Sequence, residues 1–314
     1  MRWIALALCL MLGLPFQSAD AAEKRHAQSA RAGAKAKAKA RPVAARAKAS
    51  HQARSAALPL HADGHGLKSN VALVIDNSTG KAVLSKNIHE VQPIASITKL
   101  MTALVVLDGN QPLSRRIAIT DEDIDTERGS RSRLKVGTEL SRNELLHLAL
   151  MASENRAAHA LGRSHPGGLA AFVEAMNQKA RELGMQNTRF VDPTGLSSAN
   201  VSTAADLARL VEAAHRVHLI RQYSTDPSYE VNVQGRDVAF HNTNRLVAAS
   251  GWDIGLSKTG FINEAGRCLV MLAKIDGRPL TFVLLDSWGK LSRIGDANRI
   301  RKWLTTALPS QPTS

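Results

Sequence analysis

Aromatic residues are scarce in this 314-residue chain and make up only 4% of it. Stacking of bases or sugars on aromatic platforms is therefore not an obvious basis for its function. Hydrophobic residues make up 44% and charged residues 22%, which is an ordinary globular composition with enough apolar residues for a core. The length predicts one or two domains.

Cysteine is rarer still, since the chain contains two. Cys9 lies in an apolar N-terminal run that we expect to be removed, so only Cys268 remains. One cysteine cannot form an intramolecular disulfide, and the fold must rest on its core. Because Cys268 lies within an apolar run, we predict a small buried hydrophobe rather than a reactive thiol.

The apolar run at residues 4–16 is short for a membrane span. Arg2 precedes it, and Ala19-Asp20-Ala21 follows as a small-residue cleavage pattern. We therefore predict a signal peptide at residues 1–21 that is cleaved after Ala21, and export of the chain. An uncleaved anchor helix is the alternative.

Acidic residues are few in the first part of the chain. Residues 1–56 hold 11 Lys and Arg against 2 Asp and Glu, a net +9, whereas the remainder holds 30 against 25, a net +5. Nearly no apolar side chain larger than Ala is available for burial in residues 22–56, so we expect a basic disordered linker over residues 22–66. A solvated spacer is the favoured interpretation, and electrostatic contact with anionic envelope components is the alternative. The export signal argues against nucleic acid as a partner.

Hydrophobic patterns predict strands at both ends of the remaining chain and helices between them. The predicted strands are residues 71–76, 81–84, 256–259, 268–274 and 280–285, and the predicted helices are residues 94–107, 145–150, 155–161, 169–183, 203–215 and 294–304. This order predicts an α+β fold, with an antiparallel sheet built from both chain ends, flanking helices and an inserted all-helical lobe. A functional site is expected in the cleft between sheet and lobe.

Three short motifs stand out on these elements: Ser96-Ile97-Thr98-Lys99, Ser153-Glu154-Asn155 and Lys258-Thr259-Gly260. Ser96 and Lys99 are three residues apart and share one helix face, so the hydroxyl and the amine can meet. A desolvated lysine can lose its charge and serve as the base that activates a serine nucleophile. Alone, the pattern is weak, because a helix cap followed by a surface lysine has the same letters.

The second and third motifs supply the remaining polar groups. Ser153 falls in a break between two helices, where it can relay a proton, and Asn155 can hold Lys99 and a substrate amide. Lys258 and Thr259 can bind a substrate carboxylate. Gly260 leaves room for a substrate backbone against the strand, and the backbone N–H groups of Phe261 and Ser96 can form an oxyanion hole.

In this order, and on these elements, the motifs resemble those of the serine D-Ala-D-Ala peptidases among the low-molecular-mass penicillin-binding proteins. The stretches that carry the resemblance are residues 93–101, 151–158, 187–196 and 258–266, and the likeness covers about residues 69–308. It implies a β-lactamase/transpeptidase-like fold, a peptidase domain at residues 67–308 and a short tail at residues 309–314.

The resemblance also implies an acyl-enzyme on Ser96, covalent inhibition by β-lactams and no metal or organic cofactor. Only about 50 residues follow Lys258-Thr259-Gly260, which favours the compact endopeptidase branch of the family. The expected partner is the peptide stem of peptidoglycan in the periplasm, with cleavage of D-Ala–diaminopimelate cross-links during cell-wall remodelling.

Three alternatives remain from the sequence. A carboxypeptidase would trim terminal D-Ala from pentapeptide stems. A β-lactamase would need a glutamate that activates the deacylating water, and no residue is assigned to that role. A non-catalytic wall-binding protein would depend on the basic linker and not on Ser96.

Overall fold

The computed structural model describes residues 61, 63–64 and 66–307 of the chain. The predicted signal peptide at residues 1–21, most of the linker at residues 22–66 and the tail at residues 309–314 lie outside the described residues. The predicted domain at residues 67–308 is described except for its last residue. Within the described part of the chain, no helix has the length and apolarity that crossing a bilayer requires.

Strands and helices follow the predicted order. The strands are β1 (Ser69–Asp76), β2 (Lys81–Lys86), β3 (Gln92–Pro93), β4 (Arg116–Ala118), β5 (Glu139–Ser141), β6 (Val201–Ser202), β7 (Ser228–Val233), β8 (Arg236–His241), β9 (Asp253–Ile262), β10 (Gly266–Ile275) and β11 (Arg278–Ser287). The helices are α1 (Lys99–Asp108), α2 (Arg142–Met151), α3 (Asn155–Arg163), α4 (Gly168–Glu182), α5 (Ala204–Arg216), α6 (His218–Thr225) and α7 (Ser292–Ala307).

The main sheet contains five strands in the order β2-β1-β11-β10-β9, and each neighbouring pair is antiparallel. β1, from the start of the domain, pairs with β11, from its end, so that Val71 lies opposite Leu285 and Ile75 opposite Thr281. The sheet is thus built from both ends of the chain, as predicted. β9 occupies one edge, with its outer side open to pairing.

Both faces of the central strands are covered. Val71 and Leu73 of β1 belong to the large core that includes α1 and α5, whereas Ala72 and Val74 pack in a second core with α7. Alternate residues of a strand point to opposite faces, and burial on both sides explains why this strand reads as a continuous apolar run.

Helix α1 is the centre of the helical lobe and contacts α2, α3, α4 and α5. Its residues from Lys99 to Val106 are all buried, so it has no solvent-facing stripe over this length. A helix surrounded on all sides requires apolar residues around its whole circumference, which the sequence supplies. The position of this helix also buries the lysine at its first residue.

The structure corrects two predicted elements. The helix expected from residue 94 begins as a 3₁₀ turn at Ala95–Thr98, because Ala95 adopts a left-handed φ of 49° that an α-helix cannot include. The strand expected at residues 256–259 extends over all of β9, because it pairs with β10 along its whole length. Helix α6 and the β7–β8 hairpin come from a stretch for which the sequence patterns predicted no structure.

Asp296 joins α7 to the beginning of the sheet. Its carboxylate is fully buried and accepts hydrogen bonds from the Ser69 backbone N–H (2.7 Å), the Ser69 hydroxyl (2.6 Å) and the Lys68 backbone N–H (3.1 Å). Arg299, one turn later on α7, forms an ion pair with it. This single carboxylate therefore satisfies the polar groups where β1 enters the sheet.

Replacing Asp296 by Ala should lower the free energy of unfolding by about 3 kcal/mol, because it leaves buried N–H groups without an acceptor. Urea denaturation of the wild type and the variant measures this change. The control is Asp253→Ala at an exposed position of β9, for which we expect a change within about 0.5 kcal/mol. Equal changes in the two variants would contradict the role assigned to Asp296.

Candidate active site

Ser96 is the second residue of the 3₁₀ turn that precedes α1, and it is half-buried. The Thr98 hydroxyl donates a hydrogen bond to the Ala95 carbonyl (2.8 Å), which braces the turn from within. The left-handed Ala95 is an uncommon conformation for a residue with a side chain. The surrounding structure thus holds Ser96 in a tight turn rather than in a regular helix.

Lys99 lies within reach of the serine, as the three-residue spacing predicts. Its Nζ is 2.9 Å from Ser96 Oγ, 2.7 Å from Asn155 Oδ1 and 2.6 Å from the Thr194 carbonyl oxygen. The side chain is completely buried. Three oxygens therefore surround an amine that has no access to bulk water.

Burial lowers the pKa of Lys99 to about 7, although the carboxylates of Asp192 and Glu154 oppose this shift. The neutral amine carries two N–H groups and one lone pair. The Asn155 and Thr194 oxygens can accept the two N–H groups, which leaves the lone pair for the hydroxyl proton of Ser96. This arrangement has the geometry and the proton affinity that a general base requires near neutral pH.

A second buried lysine approaches from the sheet. Lys258 of β9 donates hydrogen bonds to Ser153 Oγ (2.8 Å) and to the Thr259 carbonyl (2.9 Å). Burial, followed by the positive charges of Lys99 and Arg293, lowers the pKa of Lys258 well below its ordinary value. The structure thus brings together the lysines of the first and third motifs, with the serine of the second bonded to one of them.

Ser153 occupies the break between α2 and α3, as predicted, and has a left-handed φ of 59°. Asn155, at the start of α3, is held on its other side because its Nδ2 donates to Ser130 Oγ (2.9 Å). Glu154, between them, is buried and accepts a hydrogen bond from Ser132 Oγ (2.8 Å). Burial raises the pKa of Glu154, although that hydrogen bond opposes the rise.

Gly260 has a packing role that the sequence patterns did not predict. A Cβ at this position would lie 3.0 Å from Ala95 Cβ and from the Ile94 carbonyl oxygen, and 3.1 Å from Ser96 N. The missing side chain therefore lets β9 pack against the turn that carries Ser96. That Gly260 also leaves room for a substrate backbone along the edge of β9 stays a prediction.

The two residues beside this glycine differ in their exposure to solvent. The Thr259 hydroxyl donates to Thr243 Oγ1 (2.7 Å), and its side chain is nearly inaccessible to solvent. Phe261 is 50% exposed, and the Arg267 guanidinium lies 4.5 Å from its ring centre. Because Gly260 packs beside Ser96 N, the backbone of β9 runs next to the candidate nucleophile.

Asp192 is a site residue to which the sequence patterns assigned no role. Its carboxylate accepts hydrogen bonds from the backbone N–H groups of Thr194 (2.6 Å), Gly195 (2.8 Å) and Ser197 (3.1 Å). These bonds fold the loop so that the Thr194 carbonyl faces Lys99. The Asp-Pro-Thr-Gly sequence is a turn signal that could have indicated this loop.

Residues 125–132 form a second unpredicted part of the site, which we call the cleft loop. Asp125 shapes it by accepting hydrogen bonds from the backbone N–H groups of Arg128 (2.9 Å) and Ser130 (2.8 Å). The loop then supplies Ser130 to Asn155 and Ser132 to Glu154. No sequence pattern marks these contacts, because they join residues more than 20 positions apart.

Cys268 is fully buried, and its thiol donates to the Ala265 carbonyl. Burial raises its pKa to about 11, which keeps it protonated and unreactive. This matches the prediction of a small buried hydrophobe. Among the described residues, no group of three or more His, Cys, Asp or Glu side chains is arranged to hold a metal ion.

Comparison with known proteins identifies relatives over most of the chain. The family model described as D-alanyl-D-alanine carboxypeptidase matches residues 57–288. A D-alanyl-D-alanine endopeptidase of Pseudomonas aeruginosa is 50% identical over 253 residues, which cover 80% of this chain and 81% of the relative. A D-alanyl-D-alanine endopeptidase of Escherichia coli is 45% identical over 249 residues, which cover 76% of this chain and 78% of the relative.

Solved structures share the fold. The Streptomyces K15 DD-transpeptidase has a TM-score of 0.70 at 27% identity and covers 76% of this chain and 97% of its own. Penicillin-binding protein D2 from Listeria monocytogenes, solved in its cefotaxime-bound form, has a TM-score of 0.67 at 27% identity. The match covers 75% of this chain and 96% of the Listeria chain. These similarities confirm the transpeptidase-like α+β fold that the three motifs imply.

Gly195 provides a test of how the loop after Asp192 supports the serine turn. It has a φ of 79°, and a Cβ there would lie 1.9 Å from the Ala95 carbonyl oxygen. Gly80 has a similar φ of 70° with nothing within 4 Å of its Cβ position. In urea denaturation, Gly80→Ala should cost about 1–2 kcal/mol from backbone strain alone. Gly195→Ala should cost a further ~1–3 kcal/mol from the clash, and equal costs would contradict this close approach.

Proposed function

The chain belongs to the D-alanyl-D-alanine carboxypeptidase family, and on that premise we propose that Ser96 is the nucleophile of a peptidase that hydrolyses D-Ala–diaminopimelate cross-links in peptidoglycan. The contact between Ser96 Oγ and a buried Lys99 Nζ is the observation that carries the proposal. It joins a weak nucleophile to a base whose pKa lies near the working pH.

Acylation begins when Ser96 Oγ attacks the carbonyl carbon of D-Ala and its proton passes to Lys99 Nζ. The carbonyl oxygen becomes an oxyanion, for which the backbone N–H groups of Ser96 and Phe261 are the proposed donors. Asn155 has the polar groups to bind the substrate amide while it holds Lys99. The proximity of β9 to Ser96 N supports this arrangement.

The leaving amine needs a proton as the C–N bond breaks. We assign its delivery to Ser153 Oγ, which takes a replacement proton from Lys258 Nζ, its hydrogen-bond donor at 2.8 Å. We assign the substrate carboxylate to Lys258 Nζ and Thr259 Oγ1, on the same side of the scissile bond. Lys99 passes the proton that it took from Ser96 to its neighbour Lys258, which replaces the proton that Lys258 gave to Ser153. Lys99 is then neutral and can accept a proton from the water that hydrolyses the ester on Ser96.

The endopeptidase activity is favoured over the carboxypeptidase activity, because the two relatives at 50% and 45% identity are both D-alanyl-D-alanine endopeptidases. The family description itself names the carboxypeptidase reaction, which we keep as the second candidate. The two reactions share the acylation step and differ in the amine that leaves. Covalent inhibition by β-lactams follows from the same acylation chemistry, and the cefotaxime-bound relative supports it.

For the N-terminal region we propose a signal peptide at residues 1–21 and export to the periplasm, where the substrate lies. The support is Arg2, the short apolar run at residues 4–16 and the Ala19-Asp20-Ala21 pattern. Residues 22–66 are proposed as a basic linker to the peptidase domain at residues 67–308, followed by a tail at residues 309–314. The positive charge of the linker allows contact with anionic envelope components.

The activity is tested with cross-linked muropeptide dimers and pentapeptide monomers, with the products identified by mass spectrometry. Wild type should convert dimers to monomers, and Ser96→Ala should abolish this because no nucleophile remains. Ser78→Ala, in the exposed turn between β1 and β2, is the control and should retain full activity. Loss of one alanine from pentapeptides with dimers intact would instead establish a carboxypeptidase. In either case, penicillin labelling of Ser78→Ala but not of Ser96→Ala would confirm the nucleophile.

Acylation by a fluorescent penicillin should increase with pH and reach half its maximal rate near pH 7, where Lys99 loses its proton. Below that pH the protonated amine has no lone pair, and the rate constant should fall about tenfold per pH unit. Stopped labelling reactions between pH 5 and 9 measure the profile. Lys99→Arg, which stays charged throughout, should label at a background rate at every pH, and a flat wild-type profile would rule out Lys99 as the base.

A further inference from the structure

An ion pair joins the cleft loop to the turn between β9 and β10. Arg128 Nη1 of the cleft loop lies 3.0 Å from Glu264 Oε2, in the turn between β9 and β10. Arg128 Nε also donates a hydrogen bond to the Leu196 carbonyl, in the loop that Asp192 shapes. Arg128 thus contacts two other chain segments that border the candidate active site, one from the lobe and one from the sheet.

The direction of β9 places this ion pair relative to the reaction. The leaving amine and the substrate carboxylate belong beside Lys258 and Ser153. The strand then runs past Gly260 and ends at Ile262, two residues before Glu264. A donor stem that extends from the scissile carbonyl, away from the leaving group, therefore lies along the open edge of β9 toward Glu264.

The distance from Gly260 to Glu264 is within reach of the side chain of the residue that precedes the scissile D-Ala. An extended chain advances about 3.3 Å per residue, so Glu264 lies at most about 13 Å along the strand from Gly260. The donor residue before D-Ala begins one step along this path, and a long side chain covers the remainder. In a diaminopimelate stem, that side chain ends in a free amine and a free carboxylate.

The ion pair is complementary to such a zwitterionic end. Arg128 is 22% exposed and Glu264 is 47% exposed, so a ligand can reach both. The guanidinium has five N–H donors, and its two observed partners leave others for a carboxylate. Glu264 can accept from an ammonium group at the same time. Binding would replace one exposed ion pair by a four-charge arrangement in which every charge has an opposite neighbour.

We propose that Arg128 and Glu264 form the subsite for the free amino and carboxyl groups of diaminopimelate in the donor stem. This inference rests on the proposed function and specifies its substrate class. A stem with lysine in the same position offers the ammonium group alone. That ammonium must compete with Arg128 for Glu264 and adds an unbalanced positive charge, so the subsite selects diaminopimelate stems over lysine stems.

The test uses two synthetic cross-linked dimers with the same acceptor, whose donor residue before D-Ala is either meso-diaminopimelate or L-lysine. The mature protein should cleave the diaminopimelate donor with about tenfold higher kcat/KM, since a hydrogen-bonded charge pair contributes an effect of this size. Arg128→Gln and Glu264→Gln should reduce this ratio to about one. The control is Arg216→Gln in the exposed Arg216–Glu212 pair of α5, and it should keep the wild-type ratio.

Rates are normalised to the fraction of each preparation that a fluorescent penicillin labels, so partial misfolding of a variant cannot imitate a loss of selectivity. A wild type without preference, or variants that lose activity toward both donors while keeping the wild-type ratio, would overturn the subsite. The second result would leave Arg128 as a brace for the Leu196 loop.

The same reagents distinguish failure of the proposed function from failure of the subsite. If wild type is labelled by penicillin but cleaves neither dimer, the endopeptidase activity is excluded, and the ratio is measured with pentapeptides that carry the same two residues. A tenfold ratio there would support the subsite independently of cross-link cleavage. If neither pentapeptide is cleaved, the subsite and the proposed function are both rejected.

Discussion

The burial of the Lys99 amine is the constraint on which the rest of the site depends. Transferring an ammonium ion from water into a protein interior costs several kcal/mol, and the neutral amine avoids most of this cost. Asn155 Oδ1 and the Thr194 carbonyl satisfy the neutral group's two N–H bonds. What remains is a lone pair directed at Ser96, so the same burial that disfavours the charge also creates the base.

Each of those two oxygens is held by a further set of contacts. The Thr194 carbonyl is positioned by the loop that Asp192 folds, and Asn155 is positioned by Ser130 of the cleft loop. Asp192 also stabilises positive charge on Lys99, which keeps its pKa from falling further. A base near neutrality thus results from two opposing effects: desolvation, which lowers the pKa, and a nearby carboxylate, which raises it.

The parts of the site that could be predicted from the sequence are those in which one short segment determines the geometry. Ser96 and Lys99 meet because they are three residues apart, and Ser153 lies in a helix break that the surrounding periodicity indicates. The cleft loop and Asp192 act through contacts between residues 22 to 95 positions apart, as the bonds Ser132–Glu154 and Lys99–Thr194 illustrate. Such contacts leave no periodic signal. Gly260 shows a third case, because its motif could be identified from the sequence, whereas its contact with the turn at Ala95 could be known only from the fold.

The site lies where the sheet and the helical lobe meet, and its strained residues are found on the lobe side of that junction. Ala95 and Ser153 both have left-handed backbones although neither is glycine, which costs about 1–3 kcal/mol for each residue. Ala95 lies against Gly260 of β9, and Ser153 is bonded to Lys258 of the same strand. A regular helix at either position would carry the serine away from β9. The packing of the sheet edge against the lobe therefore stabilises two unfavourable conformations, and in return both serines face the strand along which the substrate is proposed to bind.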